Sequence, residues 1–217
     1  NIFFPYLPNF GIIEVRNRYY GGKFMESITR EQADVIGEVA NICTGTAATA
    51  LSLIINRATN ITTPTVEVLT KEELLERDDH ILVKVPYTRG LDGTNLMVLN
   101  VKDALIIANL MMGGDGSDVS SLQIDEMTLS AIAEAMNQMC GSIATSMASL
   151  LASPTDIGFP LINSKDHKTF EIPEELCNGT DIVKVTFRLT VDNLIDSSLI
   201  QLYPISIVKQ ILKQEEI

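Results

Sequence analysis

One segment of the chain occurs twice, and this constrains the fold more than any other feature. Residues 34–55 align with residues 130–151 at an offset of 96, with six identities in 22 positions. The identical pairs are Ile36/Ile132, Glu38/Glu134, Asn41/Asn137, Gly45/Gly141, Ala48/Ala144 and Thr49/Thr145. In each copy a proline, Pro64 or Pro160, follows the Asn by 23 residues. Further on, Val83-Lys84-Val85 matches Val183-Lys184-Val185 at an offset of 100, and residues 94–99 match 197–202 at 103. A slowly growing offset is what loop insertions leave in a duplicated unit.

The local patterns repeat in the same order. Apolar positions Val35, Ile36, Val39, Ile42 and Cys43 recur at helical spacing and predict a helix over 27–55, capped by Ser27 or Thr29. Gly45 and the small residues after it are expected to permit close packing. Strands are expected at 61–69, 81–87 and 94–99, with a short helix or turn at 71–76. A helix over 101–112 should stop at Gly113, Gly114, Asp115 and Gly116. The pattern then restarts: a helix over 125–151 capped by Asp125 or Ser121, an irregular 152–180, strands at 181–189 and 198–202, and a helix over 205–213 after Pro204. The expected fold class is therefore α+β, an α/β sandwich. Two pseudo-twofold-related repeats, about 27–116 and 121–213, share an antiparallel sheet with long helices packed on it.

Composition narrows the function classes. A formal net charge of −12 argues against nucleic acid or an anionic membrane surface as partner. No uninterrupted apolar run approaches the roughly 20 residues that a bilayer span needs. Residues 1–24 differ in kind from the 25–217 domain: they hold four of the seven Phe and three of the five Tyr, with Arg16, Arg18 and Lys23 against Glu14. This aromatic stretch is expected to be a native extension or an added leader before Met25, and no function is assigned to it. Cys43, Cys140 and Cys177 show no paired spacing, and buried reduced thiols are the simplest reading.

Positions i, i+4 and i+7 of a helix fall within about 60° of one another. Asp34, Glu38 and Asn41 therefore form one polar stripe, and Ser130, Glu134 and Asn137 another. One such stripe alone reads as a solvated helix face. Two in register, amid apolar neighbours that differ, point to a site. The stripes contain no nucleophile with a base, and His80 and His167 lie at no metal-ligand spacing. An amide can hold a water through its carbonyl oxygen while its NH2 donates elsewhere. That suits a reaction limited by positioning, and phosphoryl transfer is one. The metal and the electrophile would then belong to a partner.

The duplicated pattern Asp/Ser-x3-Glu-x2-Asn-x22-Pro resembles the signature of the CheC/CheX/FliY phosphatases, which act on the phosphorylated chemotaxis regulator CheY. Residues 37–52, 108–116, 133–142 and 192–196 are most similar to the FliY members, which are flagellar switch proteins. The resemblance covers about 27–212. It implies a hydrolase in which Asn41 and Asn137 orient the attacking water and Glu38 and Glu134 contact a lysine of the partner. Asp34 and Ser130 would support docking, and Pro64 and Pro160 would shape the region beside each site. No cofactor is implied in this chain; Mg2+ is expected on CheY. Implied partners are phosphorylated CheY and the switch proteins FliM, FliN and FliG, at the cytoplasmic face of the flagellar basal body. Gly113, Gly114, Asp115 and Gly116 resemble a loop with which the related FliM docks on FliG, and they also read as a plain helix stop. A non-catalytic docking subunit of the switch ring is the alternative function. Whole FliY has flanking parts not visible here, so a middle-domain portion is expected, with a free-standing CheC the other reading.

Overall fold

A computed structural model describes residues 14–16, 28–70, 74, 80–120, 123–163 and 181–215. The expected turn at 71–76 and His167 and Cys177 lie outside these residues, apart from Leu74. In the first half, α1 (Arg30–Ile55) is followed by strands β2 (Thr59–Ile61), β3 (Thr65–Leu69), β4 (His80–Arg89) and β5 (Gly93–Asn100), then α2 (Val101–Met111). In the second, α3 (Glu126–Leu150) is followed by β6 (Asp156–Ile157), β7 (Leu161–Asn163), β8 (Ile182–Val191) and β9 (Ile195–Pro204), then α4 (Ile205–Glu215). The single strand expected at 61–69 is split into β2 and β3: Thr62 N still donates to the Arg188 carbonyl of β8 at 3.1 Å, but Pro64 supplies no N–H and the regular ladder resumes only at Thr65. A further strand, β1 (Glu14–Arg16), pairs in parallel with β3, so part of the leader joins the sheet edge.

The sheet runs β1-β3-β8-β9-β5-β4-β6, with β2 also on β8 and β7 also on β4. All pairings but β1–β3 are antiparallel. Each half's long hairpin therefore carries the short strands of the other half. Neither half completes its own sheet.

Strand alternation sorts the interior into two layers. Ile81, Val83, Val85 and Tyr87 of β4, Met97 and Leu99 of β5, and Phe187 of β8 face the main core, which all four helices help to build. Leu82, Leu96, Val98, Ile200 and Leu202 face the other way and form a smaller cluster with Leu74. The helices thus occupy one face, and the pseudo-twofold must run along the sheet normal and keep faces distinct. This corrects the strand offsets read from sequence. β4 and β8 begin and end 102 residues apart, and the starts of α2 and α4, like the ends of β5 and β9, are 104 apart. An offset of 103 would put Met97, which faces the helices, in register with Ile200, which faces away, since a one-residue slip flips every side chain. At 104, Met97 corresponds to Gln201, its actual cross-strand partner, and the axis passes between them. The same axis passes between α1 and α3, where Thr46 Oγ1 donates to the carbonyl of Ser142, its own repeat equivalent, at 3.3 Å. The two helices therefore lie side by side in opposite directions.

Helix starts are set by matched caps, Thr29 and Asp125, themselves 96 apart. Thr29 Oγ1 accepts from Gln32 N at 3.2 Å while Gln32 Oε1 accepts from Thr29 N at 2.9 Å, a complete capping box. Asp125 accepts from Thr128 N at 2.8 Å, and that bond holds its carboxyl below the usual carboxylate range. Thr29→Ala should cost about 1 kcal/mol, read as a lower urea midpoint. The two caps should also separate by pH. The stability supplied by Asp125 is present above the ordinary carboxylate pKa and fades as pH falls through its lowered value, whereas the Thr29 cap does not titrate.

By length and composition α1 could cross a bilayer, with a mean hydropathy of 1.4 over its most apolar stretch. In this fold Ile36, Val39, Cys43, Ala47 and Leu51 are buried in the main core.

Candidate functional site

The rotation of α1 follows from what it buries. Ile36, Ala40, Cys43, Ala47 and Leu51 face the sheet, and Thr44 sinks fully beside them, where its Oγ1 accepts from Gln201 Nε2 at 3.2 Å. Gln201 Oε1 in turn accepts from Tyr203 Oη at 2.6 Å, so a polar pin at the pseudo-twofold sets the turn of the helix. Helical geometry then sends Asp34, Glu38 and Asn41 outward, and all three are partly exposed. On α3, Ile132, Met136, Met139 and Ile143 are buried, and Ser130, Glu134 and Asn137 face outward in the same way. In both helices the stripe opens five residues after the cap.

Each predicted group of three is thus brought onto one helix face, and the two groups stand apart. Asn41 and Asn137 each precede the crossing at Thr46 and Ser142 by five residues, so they lie roughly 15 Å apart along the helix direction. Pro64 and Pro160 are both buried and stand immediately before β3 and β7, strands that pack against α1 and α3 respectively.

The two stripes differ in detail. Gln138 Nε2 donates to Glu134 Oε1 at 2.7 Å, one helical turn away. The matching residue beside Glu38 is Ile42, and among the described residues Glu38 has no side-chain partner. Ser130 Oγ donates back to the carbonyl of Glu126 at 2.8 Å, where α1 carries the carboxylate of Asp34. The first stripe is therefore the more negative and the less tethered.

Cys43 and Cys140 are free thiols under these helices. Burial pushes Cys43 up to about 11 and Cys140 up to about 12, which removes them as nucleophiles at neutral pH. Among the described residues no group of three His, Cys, Asp or Glu side chains is placed to hold a metal ion. A cleft of about 780 Å3 opens between the start of α2, residues 116–120 and the β8–β9 turn, and no stripe residue lines it. The stripes lie on outward helix faces, a placement suited to entering another protein's site.

The loop after α2 is accounted for from within. Gly113 caps the helix at φ +87° and Gly116 turns at φ +76°. A Cβ on Gly114 would collide with the Asn109 side chain, whose Oδ1 accepts from Gly116 N at 2.8 Å. Asp115 accepts from Ser117 N and Oγ. These glycines need no partner to explain them.

Two features were missed in the sequence. Thr49 and Thr145 continue the stripes outward, each donating its hydroxyl to the carbonyl of Gly45 or Gly141, at 3.1 and 3.0 Å. Gly45 does not serve the close packing expected of it: among the described residues a Cβ on Gly45, or on its equivalent Gly141, would meet nothing within 4 Å. Their recurrence at the same offset was the available signal.

The model of the CheC-like family matches residues 31–68, which hold the first stripe and Pro64. The chain is 39% identical over 190 residues to the flagellar motor switch phosphatase FliY of Bacillus subtilis, covering 87% of this chain and 50% of that protein. It is 29% identical over 128 residues to the CheY-P phosphatase CheC of the same organism, covering 57% of this chain and 61% of CheC. The chain thus spans between half and two thirds of the curated relatives it matches. The crystal structure of Thermotoga maritima FliY superimposes with a TM-score of 0.78 at 38% identity, covering 86% of this chain and 96% of that one. The FliM middle domain of H. pylori shares the fold at a TM-score of 0.68 and 14% identity. With the duplicated Glu and Asn presented on both long helices of that fold, the chain belongs to the CheC-like family, among its FliY members.

Proposed function

We propose that this chain is a phosphatase for the aspartyl phosphate of CheY, acting within the flagellar switch. The carrying observation is the pair of outward ridges, each with a carboxylate one turn before an amide, on a fold shared with FliY. In the proposed step the ridge enters the mouth of the phosphorylated partner. Asn41 or Asn137 accepts a hydrogen bond from a water and holds it in line with the phosphorus, opposite the aspartyl oxygen. The water oxygen bonds to phosphorus and the P–O bond to the aspartate breaks, leaving inorganic phosphate and a free carboxylate. Glu38 or Glu134 pairs with a partner lysine and fixes the approach. Asp34 and Ser130 support the same contact, and Pro64 and Pro160 hold the strands beneath each helix. The divalent cation that neutralises phosphoryl charge belongs to CheY. Partnership with other switch proteins, FliM and FliN among them, agrees with the switch-protein relatives. No FliG contact is assigned to residues 113–116.

The test is the decay of phosphorylated CheY with and without this chain; equal decay rates would refute the reading. The Gln138 tether gives a second, finer expectation. In an Asn41→Ala background, where only the α3 ridge works, Gln138→Ala should free Glu134 and lower the half-saturating CheY concentration about threefold, the worth of a modest hydrogen bond. An unchanged or higher value would show that the tether does not restrain the site.

A further inference from the structure

Of the six identities between the two long helices, Ile36/Ile132 and Ala48/Ala144 are buried and need only the core to explain them. The other four fall on one outward line: Glu38, Asn41, Gly45 and Thr49 on α1, and Glu134, Asn137, Gly141 and Thr145 on α3. Gly45 and Gly141 are unfavourable in a helix interior. Neither adopts a positive φ, neither faces a neighbour among the described residues that a Cβ would touch, and Gly141 is exposed. Contrast Gly114, where a Cβ would collide with the Asn109 side chain, and Gly116, whose φ of +76° favours glycine. Among the described residues nothing requires a glycine at 45 or 141.

We infer that Gly45 and Gly141 are clearance positions for the phosphorylated partner, which seats its active-site rim against the bare helix backbone one turn beyond each Asn. The inference rests on the phosphatase reading above. Its physical ground is the shortness of asparagine. An amide two bonds from its Cα can reach a water beside the partner's phosphorus only if the helix itself enters the partner's mouth. The position one turn on, about 6 Å along the axis and on the same face, must then offer no side chain to hold the rim away. Thr49 and Thr145 border the same strip. Their hydroxyls are turned back to the Gly carbonyls, which satisfies those oxygens where the missing Cβ leaves them open to the partner. The footprint of CheY would therefore run from Glu38 to Thr49, or from Glu134 to Thr145, on a single helix.

The test uses Gly45→Gln with Gly141→Gln, a long side chain that favours helix. The double variant should unfold at a temperature no lower than the parent, while the second-order rate constant for hydrolysis of phosphorylated CheY falls by about tenfold or more. Gly45→Ala with Gly141→Ala should fall between them. A variant that hydrolyses as well as the parent overturns the inference. So does one that unfolds at a lower temperature, since the glycines would then serve internal packing. If the parent chain itself does not speed decay, the phosphatase reading has failed, and binding to beryllofluoride-activated CheY decides the clearance separately. Equal affinities for parent and Gln variant overturn it, and weakened binding supports it.

Discussion

With Asn41→Ala and Asn137→Ala combined, phosphorylated CheY should decay at its own unassisted rate. Each single variant should keep part of the acceleration, because the ridges lie roughly 15 Å apart on separate helices and share no side chain. The loss should be in catalysis and not in folding. Both side chains are partly exposed and neither belongs to the core, so thermal unfolding should hardly move. Affinity for beryllofluoride-activated CheY should also survive, since the proposed step gives the docking contact to Glu38 and Glu134. Asn→Asp at both positions should fail as well, although its size is unchanged. A carboxylate can accept from water, but its charge repels the phosphoryl oxygens and it has no NH2 to donate. Phosphate release measured over a range of CheY concentrations separates these outcomes. A double Ala variant that still accelerates decay like the parent would show that the water is placed by another group.

The largest expected effect on stability is at Phe187. Its side chain is fully buried on β8, the strand that pairs with β9 of its own half and with β2 and β3 of the other. Phe187→Ala should cost about 3–5 kcal/mol through lost burial and the cavity left behind. For a domain of this size that lowers Tm by roughly 10 °C. At low temperature, with the protein still folded, hydrolysis per molecule should stay near the parent value, because the ridges lie on the far side of the helices from this strand. The pairing pattern adds a further expectation: because each hairpin carries the other half's strands, unfolding should be a single transition seen alike by circular dichroism and by calorimetry. Two separate transitions would show that the halves are stable alone.

Much of this was legible before any coordinates. Helix 27–55 with a cap at Ser27 or Thr29, the restart with a cap at Asp125 or Ser121, and the polar stripes could be read because 3.6-residue periodicity and cap chemistry are local properties. The strands were less legible. Pro64 sits inside an otherwise good Thr- and Val-rich run, and only the sheet reveals that the chain crosses β8 in two short pieces. The offset of 103 for β5 and β9 maximised residue likeness, but likeness along a strand does not feel the pleat. Met97 and Gln201 share a face and not a residue type. The site shows the same division. Glu and Asn announced themselves by repetition, whereas Gly45 and Gly141 recurred just as faithfully, and Gly45 read as a packing glycine until the space above it was seen to be open.

The sequence alone determined the duplication, the helices, and the spacing that puts a carboxylate, an amide and a glycine on one helix face. These follow from the chain's own short-range geometry. Which way that face points was decided by the tertiary structure. The buried Thr44, Gln201 and Tyr203 pin the rotation of α1, the crossing of Thr46 over Ser142 sets α1 against α3, and the exchange of short strands ties the halves into one sheet. Apart from the Tyr203–Gln201 bond, those contacts join residues about 65 to 160 positions apart, so no local pattern can encode them; they exist only once the chain has closed on itself.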